Sequence, residues 1–349
     1  MSEDSQRSPE EWFHEVATHY VVAQALFHLN RAGVFEVIER DGPVSIDELS
    51  SQLSVEHAPL ETLLEYVIGV DRLLTRDSDG LVSFTPWGRQ VLDRYGRTAQ
   101  DGTRSFNFFD VRVGAYGPVW EALGGLLTGE ARYGETLERA GDEAAQGVYK
   151  VGARFGEPLG AIVDQLNASA FVELGVTSGL AARVGASRPE LALYGLDRDA
   201  GAIDTASERA IGEGVDRVHW LKADLFELDS WLPALEGLTP GVITTVHLHE
   251  IMASGAPRLI EFLRDLSSRL PGWHFVGLEQ PLLPESARDE TPATLWRYNH
   301  SNVLIHHLIG NGRILSEKAW MELFASAGVH VISAEGLNYL GYQAYTVRL

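Results

Sequence analysis

Cysteine is absent from the 349 residues, which excludes disulfides, thiolate nucleophiles, zinc knuckles and iron–sulfur clusters. Any metal must therefore be held by His, Asp or Glu. Positive charge is scarce. Lys and Arg number 28 against 49 Asp and Glu, a net charge of −21, so the broad basic face that nucleic-acid phosphates require is lacking. No apolar run approaches the roughly 18 residues of a membrane-spanning helix. The leading MSEDSQRSPEEWF is polar and acidic, without the apolar stretch of a signal peptide. These absences predict a cytoplasmic protein with neither nucleic acid nor membrane as partner. Internal repeats and low-complexity tracts are also missing. What remains is ordinary for a globular chain, 45% hydrophobic and 22% charged, long enough for about two domains of roughly 150 residues.

The front of the chain reads as short helices and a hairpin. HYVVAQALFHLNRAGVFEVI carries apolar residues at helical spacing. GPVSIDELSSQL follows, with Ser45 and Glu48 spaced as a capping box. HAPLETLLEYVIGVDRLL is a third helix, and LLTRDSDGLVSFTP a hairpin turning at glycine. Three helices and a wing predict a winged-helix domain over residues 1–100. Its would-be recognition helix has two Glu and no Lys or Arg, so a dimerisation role is expected over DNA binding. Residues 101–165 are expected to be a helical linker that lines a substrate pocket. The aromatic-rich stretch 104–117, with Arg104 and Arg112, falls within it.

From residue 166 to 349 the pattern is β-α repeated, a doubly wound, Rossmann-like sheet with short apolar strands separated by helices. Ligands bind at the carboxyl ends of such strands. The first strand closes with Glu173-Leu174-Gly175-Val176-Thr177-Ser178-Gly179, a carboxylate and a glycine-bearing turn. The second closes at Asp197, placed to accept both hydroxyls of a ribose. The third closes with Asp224-Leu225, an acceptor beside an apolar surface for a purine.

These acidic strand ends, Leu248-His249-Glu250 after the fourth strand, Glu279 on the fifth and GRILSEKAWMELFASAG near the end resemble the class I S-adenosylmethionine-dependent methyltransferases. The likeness is to the small-molecule O-methyltransferases with an N-terminal winged-helix dimerisation domain. It implies a homodimer that binds S-adenosylmethionine through Glu173, Gly175, Gly179, Asp197, Asp224 and Leu225. Val176 and Thr177 stand where that family usually has glycine, which adds β-branched bulk to the turn. The resemblance makes His249 the general base and Glu279 its orienting carboxylate. His247, two residues back along the strand, is expected to face the same way and to be structural.

A second cluster, Tyr298 to Leu308, contains His300, His306 and His307. The resemblance makes this a pocket-lining helix, with Ile305 at a substrate-facing position. A histidine from each wall suits an iron or zinc ion with open positions. That pattern resembles the α-keto acid C-methyltransferases of actinobacterial peptide-antibiotic pathways, which methylate the β-carbon of aryl- or alkylpyruvates. It implies His249 and His306 as metal ligands, His300 as the alternate, Glu250 as a carboxylate orienting a ligand or water, and Arg132 or Arg112 on the substrate carboxylate. The competing readings are a metal-free O-methyltransferase using His249 on a phenol or enol, a cofactor-binding pericyclase that transfers no methyl, and a winged-helix regulator.

Overall fold

The computed structural model describes residues 8–93, 110–238 and 240–349. Arg104, Phe106, Phe108 and Phe109 lie outside them. The chain divides into two compact units, residues 1–121 with 138–147, and residues 122–137 with 148–349.

The N-terminal unit begins with a long helix, α1 (Pro9–Arg31), started by a capping box between Ser8 and Glu11. Only its last turns are buried, through Ala25, Leu26, Phe27 and Leu29. Three shorter helices follow, α2 (Val34–Asp41), α3 (Ile46–Leu53) and α4 (His57–Val70). The capping box expected at the start of α3 is formed. Glu48 N–H donates to the Ser45 hydroxyl, and Ser45 N–H donates to Glu48 Oε2 at 3.0 Å. Strands β1 (Leu74–Arg76) and β2 (Val82–Phe84) make an antiparallel hairpin. Leu29, Val34, Leu49, Leu64, Val67 and Val82 fill one core between these elements. The Glu65 carboxylate of α4 lies 3.7 Å from Arg76 of β1, so this acidic helix has its cation within the unit. After the hairpin come α5 (Pro86–Val91) and α6 (Gly117–Glu121); of the helices that follow, α7 (Leu123–Thr128) and α9 (Gly156–Gln165) belong to the second unit and α8 (Gly141–Gly152) contributes residues to both.

The second unit is built on a seven-stranded sheet in the order β5-β4-β3-β6-β7-β9-β8. Strands β3 (Ala170–Leu174), β4 (Ala192–Asp197), β5 (Val218–Lys222), β6 (Gly241–Val246) and β7 (His274–Glu279) run parallel. Every residue of β3 and β7 is buried, as expected for central strands covered on both faces. The helices between strands are α10 (Leu180–Gly185), α11 (Ala200–Gly212), the single turn α12 (Leu248–Ile251) and α13 (Ala256–Arg269). Leu259, Phe262, Leu263 and Leu266 form the i, i+3, i+4, i+7 stripe that seats α13 in the core. Two more helices, α14 (Ala293–Leu308) and α15 (Glu317–Ala327), precede β8 (His330–Gly336) and β9 (Gln343–Arg348).

Those last two strands, outside the expected alternation, add an antiparallel edge to the parallel sheet. β9 lies between β7 and β8 and is buried over four residues, whereas β8 at the edge is largely exposed. No helix among the described residues is long and apolar enough to cross a membrane.

Candidate active site

The parallel strands deliver Glu173, Asp197, Asp224, His247 and Glu279 to one edge of the sheet. The β3 end is a tight turn. Gly175 has φ +79°, and a Cβ placed on it would meet nothing within 4 Å, so open space adjoins the backbone there. Residues Val176–Ser178 form a single 3-10 turn, and Gly179, at φ +67°, starts α10. Glu173 is fully buried and staples this turn. Its Oε1 accepts from the Ser178 hydroxyl at 2.5 Å and its Oε2 from Ala181 N–H at 2.8 Å. Burial raises its pKa above the usual carboxylate range, against the opposing hydrogen bonds from Ser178, Ala181 and Leu180 and the Arg183 charge.

Val176 does not crowd the open side of the turn. Its side chain is buried and lies beside Gly195 of β4, where an added Cβ would come within 3.0 Å of Val176 Cγ1. The expected bulk of a β-branched residue is thus absorbed by the core, in the space left by Gly195.

Asp197 closes β4 and ties two backbones together. Its Oδ2 accepts from Val176 N–H at 3.3 Å and its Oδ1 from Asp199 N–H at 2.9 Å. A carboxylate has about four acceptor sites, so these bonds leave capacity for a ligand. Asp224 Oδ1 accepts from Phe226 N–H at 2.9 Å, which sets the turn that presents the half-buried Leu225. Open space at Gly175, two strand-end carboxylates with acceptors to spare and an apolar neighbour fit an adenosyl-type cofactor.

The second half of the site lies at β6 and β7. His249 and Glu279 are fully buried, and Glu279 Oε2 accepts from both the backbone N–H (2.8 Å) and Nδ1 (2.7 Å) of His249. With its Nδ1 proton on Glu279, His249 keeps the Nε2 lone pair, an assignment that follows from the partners. Nε2 lies 3.1 Å from Nδ1 of His306 on α14. That separation matches a hydrogen bond. It also matches two imidazole nitrogens bound to one ion, which at metal–nitrogen distances of about 2.0–2.1 Å sit roughly 2.9–3.4 Å apart. Glu279, behind His249, supplies the outer carboxylate that metal-bound histidines ordinarily have. A carboxylate oxygen of Glu250 and ring nitrogens of His249 and His306 all lie within 4.8 Å of one another.

His247 departs from the strand alternation expected of it. β6 stops at Val246, and His247 takes the left-handed conformation (φ +62°, ψ +63°) that starts α12. Its Nε2 pairs with the Tyr342 hydroxyl at 2.9 Å. His300 is not brought to the His249–His306 pair. Its ring packs against Trp296 at a tilt of 32°, with centroids 4.0 Å apart, and its Nδ1 pairs with the Trp296 carbonyl. Arg132 is exposed and lies 3.7 Å from Glu135. Arg112 is buried in the N-terminal unit.

Sequence reasoning missed the amides around this centre. The inward face of α14 is Asn299, Asn302, Ile305 and His306, all buried. Asn299 donates to the Pro281 carbonyl and accepts from Leu283 N–H, while Asn302 donates to Gln280, which donates to the Leu340 carbonyl. The polar i, i+3, i+7 stripe ending in His306 is the signal that was available. Asn311 Nδ2 donates to Glu250 Oε1 at 2.8 Å, and Asn311 N–H to the His306 carbonyl at 3.1 Å. No spacing rule relates Asn311 to Glu250.

No protein-family model matches the sequence, and no curated protein matches it by sequence. Solved structures do match over essentially the whole chain. Human N-acetylserotonin methyltransferase in complex with SAM aligns with a TM-score of 0.73 at 16% identity, covering 100% of this chain and 99% of that one. The mitomycin 7-O-methyltransferase MmcR aligns at 0.70 and 16%, covering 99% of each. The N,N-8-amino-8-demethyl-D-riboflavin dimethyltransferase RosA from Streptomyces davawensis aligns at 0.65 and 16%, covering 98% and 99%. At these identities the likeness establishes the fold, a Rossmann-like domain with an N-terminal helical domain.

Proposed function

We propose that this protein is an S-adenosylmethionine-dependent methyltransferase that methylates the β-carbon of an α-keto acid, an aryl- or alkylpyruvate, with help from a metal ion. The observation that carries the reading is the buried pair His249–His306, 3.1 Å apart, with Glu279 on the far nitrogen of His249. S-adenosylmethionine, when bound, supplies an electrophilic methyl group. The turn at Gly175 and Gly179 takes its amino-acid end, Asp197 its ribose, and Asp224 with Leu225 its adenine. His249 and His306 would hold the ion, which supplies Lewis acidity towards the carboxylate and keto oxygens of a chelating substrate. Glu279 holds His249 in the tautomer that keeps Nε2 unprotonated. Arg132 and Arg112 are the two candidate partners of the substrate carboxylate, and the keto-acid KM of Arg132→Ala and Arg112→Ala variants decides between them.

A metal-free O-methyltransferase is the second reading. It is favoured by the same Glu279–His249 pair, because a buried histidine with its Nδ1 proton committed is placed to act as a general base through Nε2. In that reading the hydroxyl of a phenol or enol replaces His306 as the partner of His249 Nε2, which then takes its proton. O- and N-methyltransferases are among the structural neighbours named above.

Metal analysis of the purified protein, joined to S-adenosylhomocysteine formation on a panel of pyruvates and phenols, separates these. The first reading expects bound metal, turnover of a pyruvate, and loss of turnover on chelation with recovery on metal return. Full-rate methylation by chelator-stripped protein would establish the second. A substrate converted without S-adenosylhomocysteine would overturn both in favour of a non-methylating enzyme.

A further inference from the structure

We infer that Glu250 is a direct third ligand of the ion, and that Asn311 is the residue that positions it. The inference rests on the metal reading above and adds a ligand, a positioning residue and a coordination class. Glu250 follows His249 on the single turn α12, and its carboxylate reaches the same 4.8 Å cluster as the two histidines. It is held there from outside α12. Asn311 donates to Glu250 Oε1 through its side chain and to the His306 carbonyl through its backbone. One residue is therefore bonded both to the carboxylate and to the helix end that carries the second histidine. Capping α14 needs only the backbone N–H, so the side-chain bond to Glu250 is surplus to capping.

The next residue closes the arrangement. Gly312, at φ +82°, passes so near His249 that a Cβ on it would lie 1.8 Å from the His249 carbonyl oxygen. The 310–312 loop thus touches all three members of the cluster, and only glycine permits the approach at position 312. A carboxylate has about four acceptor sites, so the Asn311 bond leaves Glu250 able to bind an ion.

Two imidazoles and one carboxylate make the ligand set of open, substrate-binding centres, non-haem iron(II) or catalytic zinc, and not of a closed structural zinc site. The positions left open suit a substrate that chelates through two oxygens. One carboxylate ligand also leaves a divalent ion with net positive charge, which an anionic keto acid neutralises and a neutral phenol does not.

Cobalt(II) binding to the chelator-stripped full chain, read by calorimetry and visible absorption, tests this without any turnover assay. Wild type is expected to take up one ion per chain, and His306→Ala none. Glu250→Gln should weaken binding by about 100-fold or more, and Asn311→Ala by about 10-fold, the lower end of what outer partners of metal ligands are worth. Thermal melts accompany each variant. Should Glu250→Gln melt below the assay temperature, Glu250→Asp, which keeps the charge and withdraws the oxygen by one methylene, gives the same test with an expected loss of about 10-fold. Glu250→Gln binding with wild-type affinity would overturn the ligand assignment while leaving the histidine pair intact. Asn311→Ala binding with wild-type affinity would overturn the positioning role. A folded wild type that takes up no cobalt would overturn the metal reading and this inference together.

Discussion

Asp197 ties two backbones together, and its proposed second role, binding a ribose, can be measured. It accepts from Val176 in the β3 turn and from Asp199 after its own strand, and its remaining acceptor capacity is the proposed ribose contact. Hydrogen bonds to a charged group are worth about 1.5–3 kcal/mol each, so Asp197→Ala should lower S-adenosylmethionine affinity by roughly 10- to 100-fold in calorimetry. Unchanged affinity would remove the cofactor assignment from β4. Glu173 yields a pH prediction. Burial is the largest influence on its carboxyl and raises its pKa. Between the ordinary carboxylate value and the raised one, the folded chain binds one more proton than the unfolded chain. Its contribution to stability is therefore fully present below the ordinary value and is lost as pH rises through the raised one. Glu173→Gln removes that titration. The gap between wild-type and variant melting temperatures should shift against wild type as pH rises across this window, and a gap independent of pH would count against the buried, proton-retaining carboxyl. These roles were partly legible from residue type alone. An acid closing each of the first three strands announced a ligand edge, but nothing local to Glu173 announced that both its oxygens would be spent on the turn.

The elements that carry the chemistry differ in how readily sequence reveals them. Strands β3 and β7 are short, mostly apolar runs with an acid at or one residue before the end, and their central position in the sheet follows from that pattern. α14 is recognisable as a helix with Ile305 and His306 facing inward, yet Asn299 and Asn302 are not recognisable beside them, because polar residues there replace the apolar stripe that usually marks burial. Strand alternation predicts that β6 continues through His247, but the left-handed backbone there ends the strand at Val246 and turns the chain into α12. The loop after α14 was harder still. Gly310-Asn311-Gly312 reads as a turn, and only tertiary structure shows it pressed on His249. Gly312→Ala should expose that contact. The positive φ alone costs on the order of 1–3 kcal/mol in a non-glycine residue, and the clash with the His249 carbonyl must add to it. Loss of turnover is expected with S-adenosylmethionine affinity near wild type, since β3, β4 and β5 are untouched. A fully active Gly312→Ala variant would show that the loop is not required to hold the centre.

At the scale of the whole molecule, the alternation of strand and helix was enough to place a doubly wound sheet in the C-terminal half, while the antiparallel pair β8 and β9 escaped it. β8 is mostly exposed and carries little apolar pattern of its own, so its pairing is decided by β9, which bridges it to β7. The front half leaves one surface to account for. Along α1, Trp12, Phe13, Val16, Tyr20 and Val21 are each at least half exposed, and Trp12, Val16 and Tyr20 lie four residues apart on one stripe. The homodimer reading supplies the cover, with the stripe meeting its counterpart on a second copy. Ten half-exposed side chains in the pair, at about 1 kcal/mol each, contribute on the order of 10 kcal/mol. That is the same order as the cost of association, so the balance is close and one buried charge is enough to tip it. Each chain also carries −21, which opposes pairing at low salt and does so less as screening shortens the Debye length from about 10 Å at 0.1 M to about 3 Å at 1 M. Light scattering should therefore find a dimer that tightens with ionic strength. Val16→Asp should give a monomer whose own melting is little changed, because the position is exposed and surface substitutions are usually worth within about 0.5 kcal/mol. A wild type that stays monomeric at every concentration and salt, or a Val16→Asp variant that dimerises as wild type does, would leave the α1 stripe needing a different partner.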